Sequence, residues 1–253
     1  MSKNILFVVE GGRAEPRLLK RLVKVMRTFD NYEIFSYNTN IHKMLEGMFI
    51  GDEIDTDLDF LEYLRSCRCD KKDKEVLSRS FSDIFLIFDL DPQDQKHNPD
   101  RLKKAAAFFS DSTENGKLYI NYPMLESYRH IPNLDDLSYL DVKIRKEDIG
   151  GYKEIASKEG TPQLSDISKI DESMMLRMII LNLMKANLIV SGDRCIPDAE
   201  TYTGDITQSA LLEKEYETFF TENELFVLNT CLFNPVDYNT TGFFAMLDKQ
   251  KSL

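Results

Sequence analysis

Long apolar runs are absent from this 253-residue chain. The first run, Ile5 to Val9, stops at Glu10 and is too short for the apolar core of a signal peptide. The greasiest later stretch, 174–190, is interrupted by Arg177, Asn182, Lys185 and Asn187, which suits a buried helix better than a membrane span. Glycine (11 residues) and proline (8) are scarce, with no repeat or low-complexity tract, so long disordered segments are not expected. Cysteine is limited to four residues. Cys67 and Cys69 stand in a charged stretch, Cys195 and Cys231 stand alone, and the spacing departs from the paired two-residue gaps of structural zinc sites. Four reduced thiols and a cytoplasmic location are the expectation. Basic residues are the minority, 32 Lys and Arg against 43 Asp and Glu, giving a net charge of -11. That balance argues against a large basic nucleic-acid-binding face, but not against a local patch or a partner protein that supplies one.

What the chain does have is an ordinary globular composition, 42% hydrophobic and 30% charged, with enough length for a sizeable core. Two apolar runs of strand length, 5–9 and 84–88, end abruptly in carboxylates, at Glu10 and at Asp89-Leu90-Asp91. Such runs suit strands buried on both faces of a parallel sheet, whose ligand sites lie at the carboxyl ends of the strands. After Glu10, Gly11 to Ala14 makes a turn and Glu15-Pro16 opens a helix, with Leu19, Leu22, Val23 and Met26 at helical spacing. A strand over 32–37, a short helix over about 41–49, a helix over 101–109 capped by Asn98 or Asp100, and a strand over 117–121 follow. A weak strand is expected over 139–144. The whole reads as an α/β domain over 1–150, with a charged insertion at about 50–80, and a mostly helical region over 151–253. The latter includes helices over 171–190 and within 208–229.

Three acids converging at one sheet edge repel one another unless a cation lies between them, and hard oxygen ligands select Mg2+ or Mn2+. Glu10, Asp89 and Asp91 are therefore the candidate metal ligands. Residues two apart in an extended segment point the same way, so both aspartates can address one ion. Asp94 reads as a turn residue. Gly11-Gly12 allows close approach of backbone and ligand, although neither a Walker loop nor a dinucleotide fingerprint is complete here. Arg13, Lys96 and Arg129 are candidate phosphate contacts whose plainer role is surface charge. His97 and His130 sit in no ligand spacing, and Tyr119, Tyr122 and Tyr128 alternate with apolar residues in the manner of core side chains.

Three segments in order resemble the Toprim-type proteins of phage defence. Glu10-Gly11-Gly12-Arg13-Ala14-Glu15-Pro16 is similar to the first acidic motif of the RloB-like group, with Ala14 where threonine is usual. Phe88-Asp89-Leu90-Asp91 resembles the Toprim Asp-x-Asp motif. Asn121-Tyr122-Pro123-Met124-Leu125-Glu126 resembles the RloB-like Asn-Pro-x-x-Glu element, with Tyr122 inserted. The resemblance covers about the first 130 residues. It implies a Toprim-like sheet and a Mg2+- or Mn2+-dependent nuclease acting on DNA or RNA, as in OLD-family enzymes and the Toprim effector of the PARIS system. It also implies an ABC-type ATPase partner. Glu126 becomes a fourth catalytic candidate beside Glu10, Asp89 and Asp91, its alternative being a helix-surface acid; Glu15 becomes a supporting or helix-start acid. Two other functions stay open. One is a phosphatase or phosphotransferase with Asp89 as nucleophile and Asp91 as acid. The other is a non-catalytic regulatory subunit binding a partner through its acidic surface. Homodimerisation through the helical region is a further expectation; no membrane partner is expected.

Overall fold

A computed structural model describes residues 4–67 and 70–251. In chain order its strands and α-helices are β1 (Ile5–Val9), α1 (Ala14–Met26), β2 (Tyr32–Ser36), α2 (Ile41–Glu46), β3 (Phe49–Ile50), β4 (Glu53–Ile54), α3 (Phe60–Ser66), α4 (Lys71–Leu77), β5 (Asp83–Asp89), α5 (Pro99–Phe108), β6 (Ser110–Asp111), β7 (Gly116–Asn121), β8 (Lys143–Arg145), α6 (Tyr152–Glu159), α7 (Glu172–Ser191), α8 (Ala199–Gly204), α9 (Gln208–Thr221), β9 (Glu224–Phe226), α10 (Asn234–Tyr238) and α11 (Thr240–Lys251). The protein is α/β, built on a five-stranded sheet in the order β2-β1-β5-β7-β6, parallel except for the antiparallel β6–β7 pair.

Every residue of β1 is buried, as is every residue of β5 up to Phe88. That is why these strands read as unbroken apolar runs: helices cover both faces, so no alternate position is left for polar side chains. Register then decides what meets at the sheet's carboxyl edge. Val9 pairs with Ile87 and Asp89 pairs with Asn121, so Glu10, Asp89 and Asn121 leave three adjacent parallel strands at the same edge.

Residues 49–77 hold the β3–β4 hairpin and two seven-residue helices, each capped by an aspartate, Asp59 and Asp70. Asn98 caps α5, accepting from the Arg101 N–H at 3.0 Å. In place of a strand over 139–144 there is a 3-10 turn over Ser138–Asp141 and then β8, which pairs with β9. The 208–229 stretch is one helix, α9, followed by β9, because the chain reverses through Asn223 in a left-handed conformation (φ 58°).

Helix α7 has the length and composition of a membrane span, yet 61% of its apolar stretch is buried inside the protein. The compositional change near residue 150 is no break in packing. Buried residues from both sides form one continuous apolar cluster, and Arg21 of α1 donates to the Ile170 carbonyl at 2.5 Å.

Candidate active site

Strand β1 delivers Glu10 to the sheet edge. Its Oε2 accepts the Asp89 main-chain N–H at 3.2 Å, while its own N–H donates to the Ile87 carbonyl at 3.2 Å. The turn that follows brings Glu15 back: Gly11 N–H donates to Glu15 Oε1 at 3.2 Å. A β-carbon on Gly11 would stand 3.0 Å from Glu15 Oε2, so the glycine is what lets this carboxylate close over the turn. Glu15 is 8% exposed and sits in the first turn of α1, where the helix dipole favours an acid.

Asp89 ends β5 with two donors on one carboxylate oxygen, Oδ1: the Leu125 N–H at 2.8 Å and Asn121 Nδ2 at 3.4 Å. Leu125 begins the 3-10 turn Leu125–Arg129, which carries Glu126. Glu126 forms an ion pair with Lys153 of α6, Nζ to Oε1 3.2 Å. Glu10, Glu15, Asp89, Glu126 and Lys153 line one open cleft of about 550 Å³, with Arg13 and Asn38 on its wall.

The electrostatics follow from crowding. Burial pushes Glu10 up to about 7, with repulsion from Asp91 and Glu15 adding to it; the Asp89 N–H and Lys153 pull the other way. Asp89 is raised well above the usual carboxylate range by burial, then by Glu10, Glu15 and Glu126. Asp91 is also raised, chiefly by burial, though His42 opposes this. Burial works against the charge on Lys153, but Glu126, then Asp89 and Glu15, outweigh it and hold the ammonium above its ordinary range.

Asp91 departs from the expectation of two aspartates projecting from one extended segment. The strand has ended, Asp91 takes a left-handed conformation (φ 46°), and the period-two argument stops at Asp89. Asp91 does not line the cleft, although its charge reaches Glu10. Its carbonyl, with that of Leu90, lies within hydrogen-bond distance of His42 Nε2, at 3.2 and 2.9 Å. Among the described residues no group of three or more His, Cys, Asp or Glu side chains is arranged closely enough to hold a metal ion. The donor chemistry is nonetheless that of a hard cation: the acids offer oxygen ligands only, and burial followed by mutual repulsion raises the pKa values of Glu10 and Asp89.

The remaining candidates fall elsewhere. Asp94 closes a turn, accepting from Asn40 Nδ2 at 2.6 Å and the Lys96 N–H at 2.7 Å. Lys96 pairs with Glu46 at 2.6 Å, and Arg129 donates to the Lys153 carbonyl at 3.1 Å. His97 lies between His42 and Tyr216, and burial, then His42, lowers its pKa to about 4. His130 is buried between Tyr152 and Glu159. Tyr119, Tyr122 and Tyr128 are core residues, and the inserted Tyr122 exchanges two main-chain hydrogen bonds with Leu228. Cys67 lies against Tyr63, Cys195 against Asn187 and Cys231 against Asn229, while Cys69 falls outside the described residues.

Sequence reasoning missed Lys153 and the supports of Asp89. Lys153 looks like any surface lysine on an eight-residue helix. A backbone N–H such as that of Leu125 leaves no trace in a residue pattern. No protein-family model matches the chain, and no curated protein or solved structure matches it either.

Proposed function

We propose that this protein is a Toprim-like, Mg2+- or Mn2+-dependent nuclease that hydrolyses phosphodiester bonds of DNA or RNA in phage defence, working with an ABC-type ATPase. The observation carrying this reading is the hydrogen bond from the Asp89 N–H to the Glu10 carboxylate at the carboxyl edge of a parallel sheet, inside a cleft that also holds Glu15 and Glu126. Glu10 and Asp89, which line the cleft, would hold the cation, with Asp91 outside the cleft but near enough for its charge to reach Glu10; when bound the cation supplies Lewis-acid stabilisation of phosphate oxygens and a more acidic water. The chain's own groups have separable tasks. Asn121 and the Leu125 N–H orient Asp89. Glu10 would serve either as a metal ligand or as a general base; without a cation its pKa is raised by burial to about 7, and a bound cation would lower it. Glu126, paired with Lys153, is available to support the site. Arg13 and Lys153 bring positive charge to the cleft of a chain whose net charge is -11.

A non-catalytic Toprim-like subunit is the second reading, favoured by that net charge and by the lack of a closed ligand set among the described residues. Incubation of the chain, alone and with its ATPase partner, with DNA and RNA in 5′- and 3′-labelled form separates the two. The nuclease reading requires cleavage that depends on Mn2+ or Mg2+ and is lost in Glu10→Gln. Cleavage that persists in Glu10→Gln takes Glu10 out of the reaction and rejects the site as assigned, whereas complete inactivity of the activated complex rejects the nuclease reading in favour of the second.

A further inference from the structure

Within residues 151–253 a short buried segment, Asn229-Thr230-Cys231, hydrogen-bonds the elements that hold the acidic centre. Asn229 is fully buried and spends both side-chain N–H groups on the turn that carries Glu126: Nδ2 donates to the Leu125 carbonyl at 2.9 Å and to Ser127 Oγ at 2.9 Å. Its Oδ1 accepts from Cys231 Sγ at 3.1 Å, and its main-chain N–H donates to Asn182 Oδ1 of α7 at 2.9 Å. Cys231 N–H in turn donates to Asn121 Oδ1 at 3.4 Å, and Thr230 Oγ1 donates to the Ile120 carbonyl at 2.8 Å. Both groups that hold Asp89 Oδ1, the Leu125 N–H and the Asn121 amide, are thus themselves held by this segment.

We propose that Asn229 is a positioning residue: the C-terminal half of the chain sets the orientation of Asp89 through Leu125 and Asn121. This inference rests on the metal-dependent reading of the cleft. Two physical facts carry it. A buried primary amide with every donor satisfied fixes its neighbours' orientation, because rotating away leaves polar atoms unpaired in a dry interior. And a ligand carboxylate is aimed by the groups that hydrogen-bond it, so loosening those partners costs metal affinity without removing a ligand.

The test is direct titration of the full chain with Mn2+, read by calorimetry or by the electron paramagnetic resonance of free Mn2+. Substitution Asn229→Ala is expected to weaken Mn2+ binding by roughly 3–10-fold, below the 10–100-fold cost of losing a direct partner of a ligand. Leu77→Ala, a core truncation on α4, which packs mainly against α3 and β2, is the control and is expected to leave the affinity unchanged while lowering the unfolding midpoint. Should Asn229→Ala fail to fold, Ser127→Ala removes one of the two acceptors of Asn229 Nδ2 and is expected to weaken binding in the same direction by a smaller factor. If the unsubstituted chain binds Mn2+ and the variants bind it equally well, the positioning role is overturned alone. If the unsubstituted chain binds no Mn2+, the reading of the cleft and this inference are overturned together.

Discussion

Glu10 and Asp89 lie 79 residues apart in the chain, yet the carboxylate of one accepts the main-chain N–H of the other at 3.2 Å. That bond keeps an acid in a mostly buried position where its pKa rises from 4.5 to about 7. A carboxyl group whose folded pKa is raised favours the folded state below its unfolded pKa, and that advantage fades as pH climbs to the folded value. Glu10→Gln keeps an acceptor for the Asp89 N–H and never ionises. With divalent cations chelated, it is expected to be more stable than the parent above pH 7 by on the order of 1–3 kcal/mol, the difference shrinking towards pH 4.5. Urea unfolding at a series of pH values measures it. A variant less stable at pH 8 means that Glu10 is held by a positive partner rather than crowded by acids.

Cation binding should act on stability with the opposite dependence on charge. A ligand that binds only the folded state stabilises it by about 2.7 kcal/mol at a hundred times its Kd. Thermal unfolding of the parent chain is therefore expected to shift upward with added Mn2+. Asp89→Asn keeps an acceptor for Leu125 and Asn121 but removes the ionisable carboxyl. Its Tm in chelator is expected to equal or exceed the parent's, and to respond to Mn2+ far less. An equal Mn2+ shift in both proteins would take Asp89 out of the ligand set.

How much of this could be read from residues alone depends on the range of the interaction. The buried strands β1 and β5 announce themselves because burial on both faces forces a run of apolar residues, and their ends point to one edge through parallel pairing. Glu10 and Asp89 were legible for that reason. Asp91 was not, since a single left-handed φ breaks the alternation on which its orientation was inferred. Asn229 was invisible: an asparagine after an apolar stretch reads as a helix end, and only the folded chain brings it against Leu125, 104 positions away. Continuity of the core across residue 150 was equally hidden, because composition changes there while packing does not.

Gly160 sits where α6 ends against the turn that precedes it in sequence. A β-carbon there would meet the Arg129 carbonyl oxygen at 2.0 Å and the Ala156 carbonyl oxygen at 2.7 Å. Both are backbone atoms and cannot swing aside as a side-chain tip can. Gly160→Ala is expected to destabilise the protein by about 1–3 kcal/mol or more. Gly204, at the end of α8, has nothing within 4 Å of such a carbon, and Gly204→Ala is expected to gain ~0.5–1 kcal/mol. Denaturant midpoints of the pair check both signs. A neutral Gly160→Ala would show that α6, and Lys153 with it, can shift freely relative to Arg129.

Behind the sheet, Glu215 of α9 is fully buried with one oxygen accepting the Phe226 N–H at 3.0 Å; among the described residues its other oxygen has no hydrogen-bond partner. Burial raises its pKa from 4.5 to about 8, although Phe226, Lys185 and Lys143 all oppose the rise. Buried Lys185 is the natural counter-charge, but it donates instead to the carbonyls of Tyr139 and Val142 at 2.8 and 2.6 Å, and burial lowers its own pKa well below the usual lysine range. The two groups pull stability in opposite directions with pH. An acid with a raised pKa loses its contribution as pH rises from 4.5 to about 8, whereas a base with a lowered pKa favours the folded state as pH rises. Glu215→Gln removes the first effect. The stability difference, variant minus parent, is expected to grow by up to about 1.4 kcal/mol per pH unit between 4.5 and 8 and then level off. A difference independent of pH across that window would mean that Glu215 stays ionised in the fold, paired with Lys185 more tightly than their separate hydrogen bonds indicate.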